Sequence, residues 1–372
     1  MKIGLVVPFS WSYWGGVVEH AENQAAALRA RGHDVRILIG HDPPGRLTRL
    51  LHPRTGRHGT LPSGIIPVGR SVVVPANGSL PNIVLSPQTV GRIRATLVRE
   101  RFHVVHVHEP MTPAIGVATL ALAQSPLVAT WHAAGDLGWM NMGVPLWGFL
   151  VDRVDARIAV SDEAAASAAR WLPGDYEIVP NGVVLPPQHE PRNREHRVVF
   201  IGRHDRRKGL AVLLRAWPEI HRRTRARLRL IGTDPLQYRL LHARLGVDDT
   251  GIDVLGIVSD AALTDELLAA KVLVSPALGR ESFGMVLTRA FACATPVVAS
   301  DIPGYAAVAT ADTGRLVPPG NGGALVDAVV ELLENEERRV AMGTAARALA
   351  EARFAWSDVA RRLEETYERV AA

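Results

Sequence analysis

The chain has 372 residues, which is enough for two domains with separate hydrophobic cores. Its composition, with 47% hydrophobic and 21% charged residues and a net charge of +5, is ordinary for a globular protein, and no apolar run approaches the ~18 residues of a membrane span. The single cysteine, Cys293, excludes an internal disulfide and favours a reducing compartment. We therefore expect a cytoplasmic protein.

The predicted elements of the first half alternate between apolar β-branched runs and helical patterns. In chain order they are the strand Lys2–Pro8, helix Val17–Ala30, strand Val35–Ile39, helix Thr89–Glu100, strand His103–Val107, helix Pro113–Gln124, strands Leu127–Trp131 and Arg157–Val160, and helix Asp162–Trp171. This alternation predicts a parallel sheet covered on both faces. A Pro/Gly-rich stretch at 179–187 is the best candidate for a linker.

The pattern then restarts after the linker. Strands are predicted at Val198–Ile201, Arg227–Ile231, Ile252–Leu255, Val272–Ser275 and Pro296–Ser300, and late helices at Gly323–Glu334, Glu337–Arg353 and Ser357–Ala371. The fold class is thus α/β, with two Rossmann-like doubly wound domains facing each other across a cleft. We expect residues 1–185 to form the first domain, 186–354 the second, and the helix at 355–372 to pack back on the first.

Positive charge is concentrated in part of the first domain. Residues 29–101 contain twelve arginines against Asp34, Asp42 and Glu100, a local balance of +9. Two interpretations stay open: solvated helix faces, or a surface for an anionic membrane. Nucleic acid is not expected, because aromatic residues are not interleaved with the basic ones and no binding motif occurs.

The most informative motif is Glu281-Ser282-Phe283-Gly284, followed by an apolar helical run that begins with Met285 and Val286. A helix N-terminus at this point is a site for an anion. Arg203 and Lys208 follow the strand that ends at Ile201, and they predict two cations for a diphosphate. Lys208 is one of only three lysines among 42 basic residues, the others being Lys2 and Lys271.

Other motifs each have a structural explanation beside the functional one. Gly15-Gly16 precedes a helix and permits close approach of a ligand, although a tight turn explains it nearly as well. His106-Val107-His108 has the spacing of metal ligands on a strand, but no further ligand cluster is apparent, so a structural role comes first. His132 ends a strand and points at the expected cleft. Pro180-Asn181-Gly182 is a turn signature.

Two common phosphate-binding motifs are missing from the sequence. The Gly202–Gly209 loop lacks P-loop spacing, and no D-x-D pair occurs that would hold a metal on a diphosphate. We therefore expect no tightly bound cofactor, no protein metal site and at most an optional Mg²⁺.

The ordered set of motifs resembles the family 4 retaining glycosyltransferases of the GT-B fold over nearly the whole chain, and within them most closely the bacterial phosphatidylinositol mannosyltransferases. The motifs are Gly15-Gly16, His106–Pro110, Ala129–His132, Ala159–Ser161, Pro180–Val183, Gly202–Gly209, Glu281–Gly284, Thr295–Ser300 and Gly314–Val317. The resemblance implies transfer of a sugar, mannose from GDP-mannose, to a lipid or polar acceptor such as a phosphatidylinositol-like glycolipid. It also implies peripheral contact with the inner face of the cell membrane.

The resemblance assigns roles to individual residues. The catalytic set is His132, Arg203, Lys208 and Glu281; Arg203 and Lys208 neutralise the leaving diphosphate, and Glu281 and His132 hold sugar hydroxyls. The residues expected to bind the donor are Gly16, Ser282, Phe283, Gly284, Met285, Val286 and Arg289. Those expected on the acceptor and membrane side are Phe9, Gly15, Asn77, Arg92 and Arg94.

The chain departs from the family pattern at several positions. Arg289 stands where a glutamate usually binds the ribose hydroxyls, and arginine cannot accept a hydrogen bond. Ala294 replaces a glycine, and Lys271 an aspartate. On the acceptor side, no cation follows Asn77-Gly78-Ser79, and Ala133 and Leu137 replace polar and basic contacts.

These departures leave alternatives to an active transferase. The first is a non-catalytic sugar- or nucleotide-binding protein on a degenerate GT-B scaffold, which would bind donor without consuming it. The second is a sugar-nucleotide epimerase or a phosphorylase of similar architecture.

Overall fold

The computed structural model describes residues 1–13, 15–52, 60–74, 81–133, 148–187, 194–203 and 205–372. The chain divides into two compact units. Unit 1 contains Met1–Gly182 and Trp356–Ala372, and unit 2 contains Val183–Ala355. Within the described part, no helix is both long enough and apolar enough to cross a bilayer.

Unit 1 is built on a largely parallel sheet. Its strands are β1 (Lys2–Ser10), β2 (Asp34–Gly40), β3 (Ile65–Gly69), β4 (Ser71–Val73), β5 (Asn82–Val84), β6 (Val104–His108), β7 (Leu127–Trp131), β8 (Ala156–Ala159) and β9 (Glu177–Ile178). Apart from the last helix of the chain, the helices of unit 1 within the described residues are α1 (Gly16–Ala30), α2 (Arg46–Leu51), α3 (Thr89–Glu100), α4 (Ile115–Leu122) and α5 (Asp162–Ala169). The strand order is β3-β2-β1-β6-β7-β8-β9, with β4 and β5 antiparallel beside β1.

Alternate residues of β1 belong to two different cores. Ile3, Leu5 and Val7 pack with α1 on one face of the sheet, whereas Val6 packs with α3 and α4 on the other. Because successive side chains of a strand point to opposite faces, a strand buried on both sides is apolar along its length. This explains why the first strand was predictable from its sequence.

Unit 2 repeats the same architecture more simply. Its parallel strands are β10 (Glu195–Ile201), β11 (Arg227–Ile231), β12 (Ile252–Gly256), β13 (Ala270–Ser275), β14 (Val297–Ser300) and β15 (Gly314–Val317), in the order β12-β11-β10-β13-β14-β15. Its helices are α6 (Leu210–Thr224), α7 (Pro235–Leu245), α8 (Asp260–Ala269), α9 (Met285–Ala292), α10 (Pro303–Ala306), α11 (Gly322–Glu334) and α12 (Glu336–Leu349), the last followed by a π-helical turn at Ala350–Phe354.

The last helix, α13 (Trp356–Ala371), belongs to unit 1. Val359, Leu363 and Tyr367 recur every four residues, and all three are buried against the α1 face of the sheet. The Tyr367 hydroxyl lies 2.9 Å from Gln24 Nε2 and 2.6 Å from His106 Nδ1. Both apolar packing and buried hydrogen bonds therefore attach this helix to unit 1.

Strand order reverses once in each unit. The reversal lies between β1 and β6 in unit 1 and between β10 and β13 in unit 2. In open α/β sheets, ligands bind outside the carboxyl ends of the strands at such a reversal. The two places to search for a site are therefore the segments after β1 and β6, and those after β10 and β13.

Several predicted elements differ in extent from those observed. The helix predicted at Pro113–Gln124 is only α4, because Ala114 has a left-handed φ of 66° and cannot continue a helical turn. The helix predicted at Glu337–Arg353 ends as α12 and passes into the π-helical turn. Strands β3, β4 and β5 were not predicted, since they are short and Pro67 interrupts the apolar pattern.

Ala294, which replaces a glycine of the family pattern, follows α9 and has a left-handed φ of 52°. A side chain in this conformation costs roughly 1–2 kcal/mol, whereas glycine adopts it freely. The Arg194 guanidinium donates hydrogen bonds to the carbonyl oxygens of Cys293 and Ala294, at 2.8 and 3.0 Å. The extra methyl group of Ala294 therefore costs conformational energy. The hydrogen bonds from Arg194 hold the turn in this conformation.

We expect Ala294→Gly to stabilise unit 2 by about 0.5–1 kcal/mol, because the relief of strain exceeds the entropy that glycine adds to the unfolded chain. Urea denaturation of the full-length chain measures the change. Ala292→Gly, two residues earlier in α9, is the matched control and should destabilise by about 1 kcal/mol or more. A lower midpoint for Ala294→Gly would contradict the strain.

Candidate functional site

The loop after β10 carries the predicted phosphate-binding cations. Arg203 is exposed, and a short 3₁₀ turn, Arg206–Lys208, follows it, with the Asp205 carboxylate accepting the N–H of Arg207 at 2.9 Å. Gly209 then has a φ of 70°, and a Cβ there would lie 1.7 Å from the carbonyl oxygen of Pro276. Only glycine fits this position, and the resulting close approach fixes Lys208 beside the segment after β13.

Lys208 pairs with Glu281. Its ammonium lies 2.9 Å from Glu281 Oε1 and 3.0 Å from Oε2, and the two side chains are 23% and 14% exposed. The structure thus brings together two residues 73 positions apart that the sequence assigned to one site. A half-buried ammonium and carboxylate in contact present both a cation and a hydrogen-bond acceptor at the carboxyl ends of β10 and β13.

The backbone of Glu281 is held by a residue that sequence reasoning missed. A Cβ at Gly304 would lie 1.9 Å from the Glu281 carbonyl oxygen, so the start of α10 packs directly on this segment. Tyr305 is fully buried next to it and its hydroxyl lies 2.8 Å from Ser275 Oγ. A Pro-Gly pair shortly after a buried strand was the available signal, because proline favours a helix start.

The N-terminus of α9 lies directly after this segment. Gly284 has a φ of 80° and precedes the helix, with Phe283 buried and Met285 and Val286 half-buried. The Phe283 ring packs edge-on against Phe354 at a centroid distance of 5.6 Å. The first turn of a helix has N–H groups that no intrahelical bond uses, so α9 can donate to an anion here. Ser282 is half-buried beside it.

Arg289 lies in the last turn of α9. Its guanidinium is 3.3 Å from a carboxylate oxygen of Asp260, the first residue of α8. A cation in the last turn of one helix and an anion in the first turn of another are each favourable with the helix dipoles. The residue that departs from the family pattern is therefore part of an ion pair with Asp260.

Gly15 and Gly16 lie where α1 begins, after β1. Gly15 has an extended φ of −165°, which any residue adopts, and within the described residues nothing lies within 4 Å of a Cβ placed there. Neither conformation nor packing in that part of the chain requires glycine at position 15. A tight turn that requires glycine is therefore not the reason for Gly15.

Unit 1 contains a buried group of histidines at the reversal of strand order. His106 and His108 come from β6, His132 follows β7, and His20 lies on α1; each is at most 8% exposed. His108 Nδ1 is 2.9 Å from His132 Nε2, and the His106 and His108 rings stack with centroids 4.6 Å apart. Sequence spacing identified the His106–His108 pair but not the approach of His20, which comes from a distant helix.

Burial controls the protonation of these rings. It lowers the pKa of His20 to about 4 and that of His106 to about 3. The pKa values of His108 and His132 fall well below the ordinary value, first through burial and then through repulsion from the neighbouring imidazoles. The cluster is therefore neutral at neutral pH.

Glu109, directly after β6, fixes the backbone at His132. One of its carboxylate oxygens accepts the N–H groups of His132 and Ala133, at 2.9 and 2.8 Å. Burial raises the pKa of this carboxyl to about 7, against the lowering effect of these two bonds. The backbone position of His132 is thus set by a carboxylate that follows the neighbouring strand β6.

The structure describes only some of the residues expected on the acceptor side. Arg92 and Arg94 are exposed on α3, together with Val90 and Val98, which are 48% and 70% exposed. Phe9 is half-buried and pairs with Ile83 across β1 and β5. Asn77, and Leu137 with it, lie outside the described residues.

Comparison with known proteins identifies the two halves of the chain. Residues 14–185 match the family model described as Glycosyltransferase Family 4, and residues 195–335 match the model described as Glycosyl transferases group 1. A phosphatidyl-myo-inositol mannosyltransferase of Mycobacterium leprae is 36% identical over 386 residues, which cover 100% of this chain and 97% of that protein.

Solved structures show the same fold. Sucrose-phosphate synthase from Thermosynechococcus elongatus matches with a TM-score of 0.74 at 22% identity, over 99% of this chain and 98% of that one. Anabaena Alr3699/HepE in complex with UDP-glucose matches with a TM-score of 0.71 at 18% identity, over 99% and 100%. Both are GT-B glycosyltransferase structures, which confirms the predicted fold class. With two parallel-sheet α/β units, both family models and a full-length relative above 30% identity, this chain belongs to glycosyltransferase family 4.

Proposed function

We propose that this protein is a retaining glycosyltransferase that transfers mannose from GDP-mannose to a membrane lipid acceptor of the phosphatidylinositol type. Family membership and the name of the full-length Mycobacterium leprae relative support this assignment. The observation that carries it is the Lys208–Glu281 pair, a cation and an acceptor held in contact at the carboxyl ends of β10 and β13.

In unit 2, cations and helix N–H groups meet the diphosphate. Lys208 and Arg203 neutralise the charge that develops as the bond from the sugar C1 to the diphosphate breaks. The first turn of α9, through Met285 and Val286, donates N–H groups to the same phosphates. Glu281, once Lys208 has turned to the phosphate, accepts hydrogen bonds from sugar hydroxyls.

In unit 1, Gly16 contacts the diphosphate and His132 contacts the sugar. The N–H of Gly16 at the start of α1 donates to the diphosphate, and Gly15 leaves room for the ligand. His132 binds a sugar hydroxyl, held by the two backbone bonds to Glu109. The acceptor hydroxyl attacks C1 from the face that the diphosphate leaves, and its proton passes to the departing phosphate. No side chain is required as a nucleophile.

On the acceptor side, α3 supplies the positive charge that the segment after Asn77 lacks. Arg92 and Arg94 are exposed beside the exposed Val90 and Val98, so this helix presents cations and apolar side chains together. Such a surface suits an anionic membrane interface. Phe9, Gly15 and Asn77 complete the proposed acceptor side.

We expect Lys208→Ala to lower kcat by roughly 10²-fold or more, because a charged donor to the leaving group is lost. Transfer of labelled mannose from GDP-mannose to phosphatidylinositol vesicles measures this loss. Lys271→Ala is the matched control, because it also removes one ammonium group. Lys271 lies on β13, and its Nζ atom is 3.2 Å from His196 Nδ1. Near-normal turnover by Lys208→Ala would remove the diphosphate assignment, while GDP binding without any turnover by the unmodified protein would favour the non-catalytic alternative.

We expect the double variant Arg289→Glu/Asp260→Asn to bind GDP roughly tenfold more tightly. The new carboxylate can accept a hydrogen bond from a ribose hydroxyl, which at the lower end of the range for a charged acceptor contributes about 1.5 kcal/mol, and the asparagine avoids repulsion at the site of the present ion pair. Calorimetric titration with 2′,3′-dideoxy-GDP is the control, since the gain should vanish without the hydroxyls. Weaker binding of both nucleotides would mean that Arg289 itself contacts the donor.

We expect Arg92→Ala/Arg94→Ala to reduce binding to phosphatidylglycerol vesicles at low salt. About 1 kcal/mol is lost per arginine near the surface, or roughly thirty-fold in partitioning for two. Co-sedimentation measures the effect, with Arg239→Ala/Arg244→Ala on α7, also exposed, as the charge-matched control. Equal losses in both double variants, or binding that persists at high salt, would contradict a specific electrostatic surface.

A further inference from the structure

The histidine cluster of unit 1 has a geometry that the transferase assignment does not use. One ring nitrogen from each of His20, His108 and His132 lies within 4.8 Å of the others. The three residues come from α1, from β6 and from the segment after β7, and all are buried. In a tetrahedral zinc site with Zn–N bonds of about 2.0–2.1 Å, the ligand nitrogens lie roughly 3.4 Å apart. Small shifts of the rings would bring the three nitrogens to that separation.

Unsatisfied atoms form a second, independent observation at the same place. His20 Nδ1 and His108 Nε2 are buried and have no hydrogen-bond partner among the residues that the structure describes. A buried polar atom without a partner costs about 1–3 kcal/mol, so native structures normally provide one. Two such nitrogens in one cluster indicate that a bound species completes it.

Asn181 adds an oxygen to the cluster. Its side chain lies close to His20 and His132, and among the described residues its buried amide oxygen has no hydrogen-bond partner. The Pro180-Asn181-Gly182 turn, which sequence analysis interpreted only as a turn, therefore places a polar group against the imidazoles. This oxygen can ligate a cation directly or accept a hydrogen bond from a water bound to one.

The surroundings hold the rings in position. His106 stacks on His108, and its own nitrogens are occupied by Tyr367 Oη and Thr130 Oγ1, each at 2.6 Å. Imidazole binds a metal in its neutral form through a ring nitrogen. A set of nitrogen donors without a thiolate or a carboxylate suits zinc, cobalt, nickel or copper better than magnesium or calcium.

We propose that His20, His108 and His132 form a binding site for a divalent transition-metal ion of the zinc type, with Asn181 at or next to the fourth position. The site goes beyond the transferase function. Because the proposed function also places a sugar hydroxyl on His132, the ion and the sugar compete for this side chain. The metal therefore acts as a reversible inhibitor of donor use, and no step of the transfer passes through it.

Cobalt(II) is the probe, because tetrahedral nitrogen coordination gives visible absorption bands that need no activity assay. The full-length protein, treated with EDTA and dialysed, is titrated with Co²⁺ in the absence of donor. We expect one equivalent to produce the bands and Zn²⁺ to abolish them. His20→Gln and His108→Gln should each weaken Co²⁺ binding at least tenfold, whereas His242→Gln, a histidine on α7 in contact with the Val247 carbonyl, should leave it unchanged.

A measurement on the unmodified protein covers the case in which the buried variants do not fold. In ¹⁵N spectra of the histidine rings, Zn²⁺ should shift the nitrogens of His20, His108 and His132 and leave those of His242 in place. Unshifted cluster nitrogens, or Co²⁺ binding lost only in His242→Gln, would overturn the site. Failure of the transferase assay has no bearing on either result, while stoichiometric binding without inhibition of mannose transfer would remove only the competition at His132.

Discussion

The order of strands in two parallel sheets determines where the Lys208–Glu281 pair and the histidine cluster lie. All strands of a parallel sheet end at one edge, and at the place where their order reverses two neighbouring connections diverge and leave room between them. In unit 2 this place lies between β10 and β13, where Lys208 and Glu281 meet. In unit 1 it lies between β1 and β6, next to Gly15 and His108. The chemistry of each unit depends on this topology before it depends on any single side chain.

Within that topology, close backbone contacts set the geometry in unit 2. Gly209 lies against Pro276 and Gly304 against Glu281, each so closely that a Cβ would overlap a carbonyl oxygen. The Lys208 and Glu281 side chains are thus placed by backbone packing rather than by the ion pair that joins them. In the proposed function, the diphosphate separates the pair while the loops that carry it keep their conformation. The two side chains can thus move apart while the backbone that carries them stays rigid.

Sequence reasoning succeeded where information is local. Buried strands such as β1 and β7 are apolar along their length, and the Glu281–Gly284 motif precedes a helix within a few residues. It failed where contacts join distant segments: His20 approaches His108 from another element, and Asp260 on α8 is the partner of Arg289. The backbone conformation of Ala294 could not be predicted either. Its left-handed φ belongs to a turn held by Arg194, which lies far earlier in the chain.

The return of α13 to unit 1 affects how the protein is made. Unit 2 is one continuous segment, Val183–Ala355, and it can complete its core as soon as it leaves the ribosome. Unit 1 begins first but lacks Val359, Leu363 and Tyr367 until the last helix is synthesised. During that interval the part of this sheet face that α13 covers is exposed, and His106 lacks its tyrosine partner. The core of unit 1 therefore cannot be complete until the whole of unit 2 has been translated.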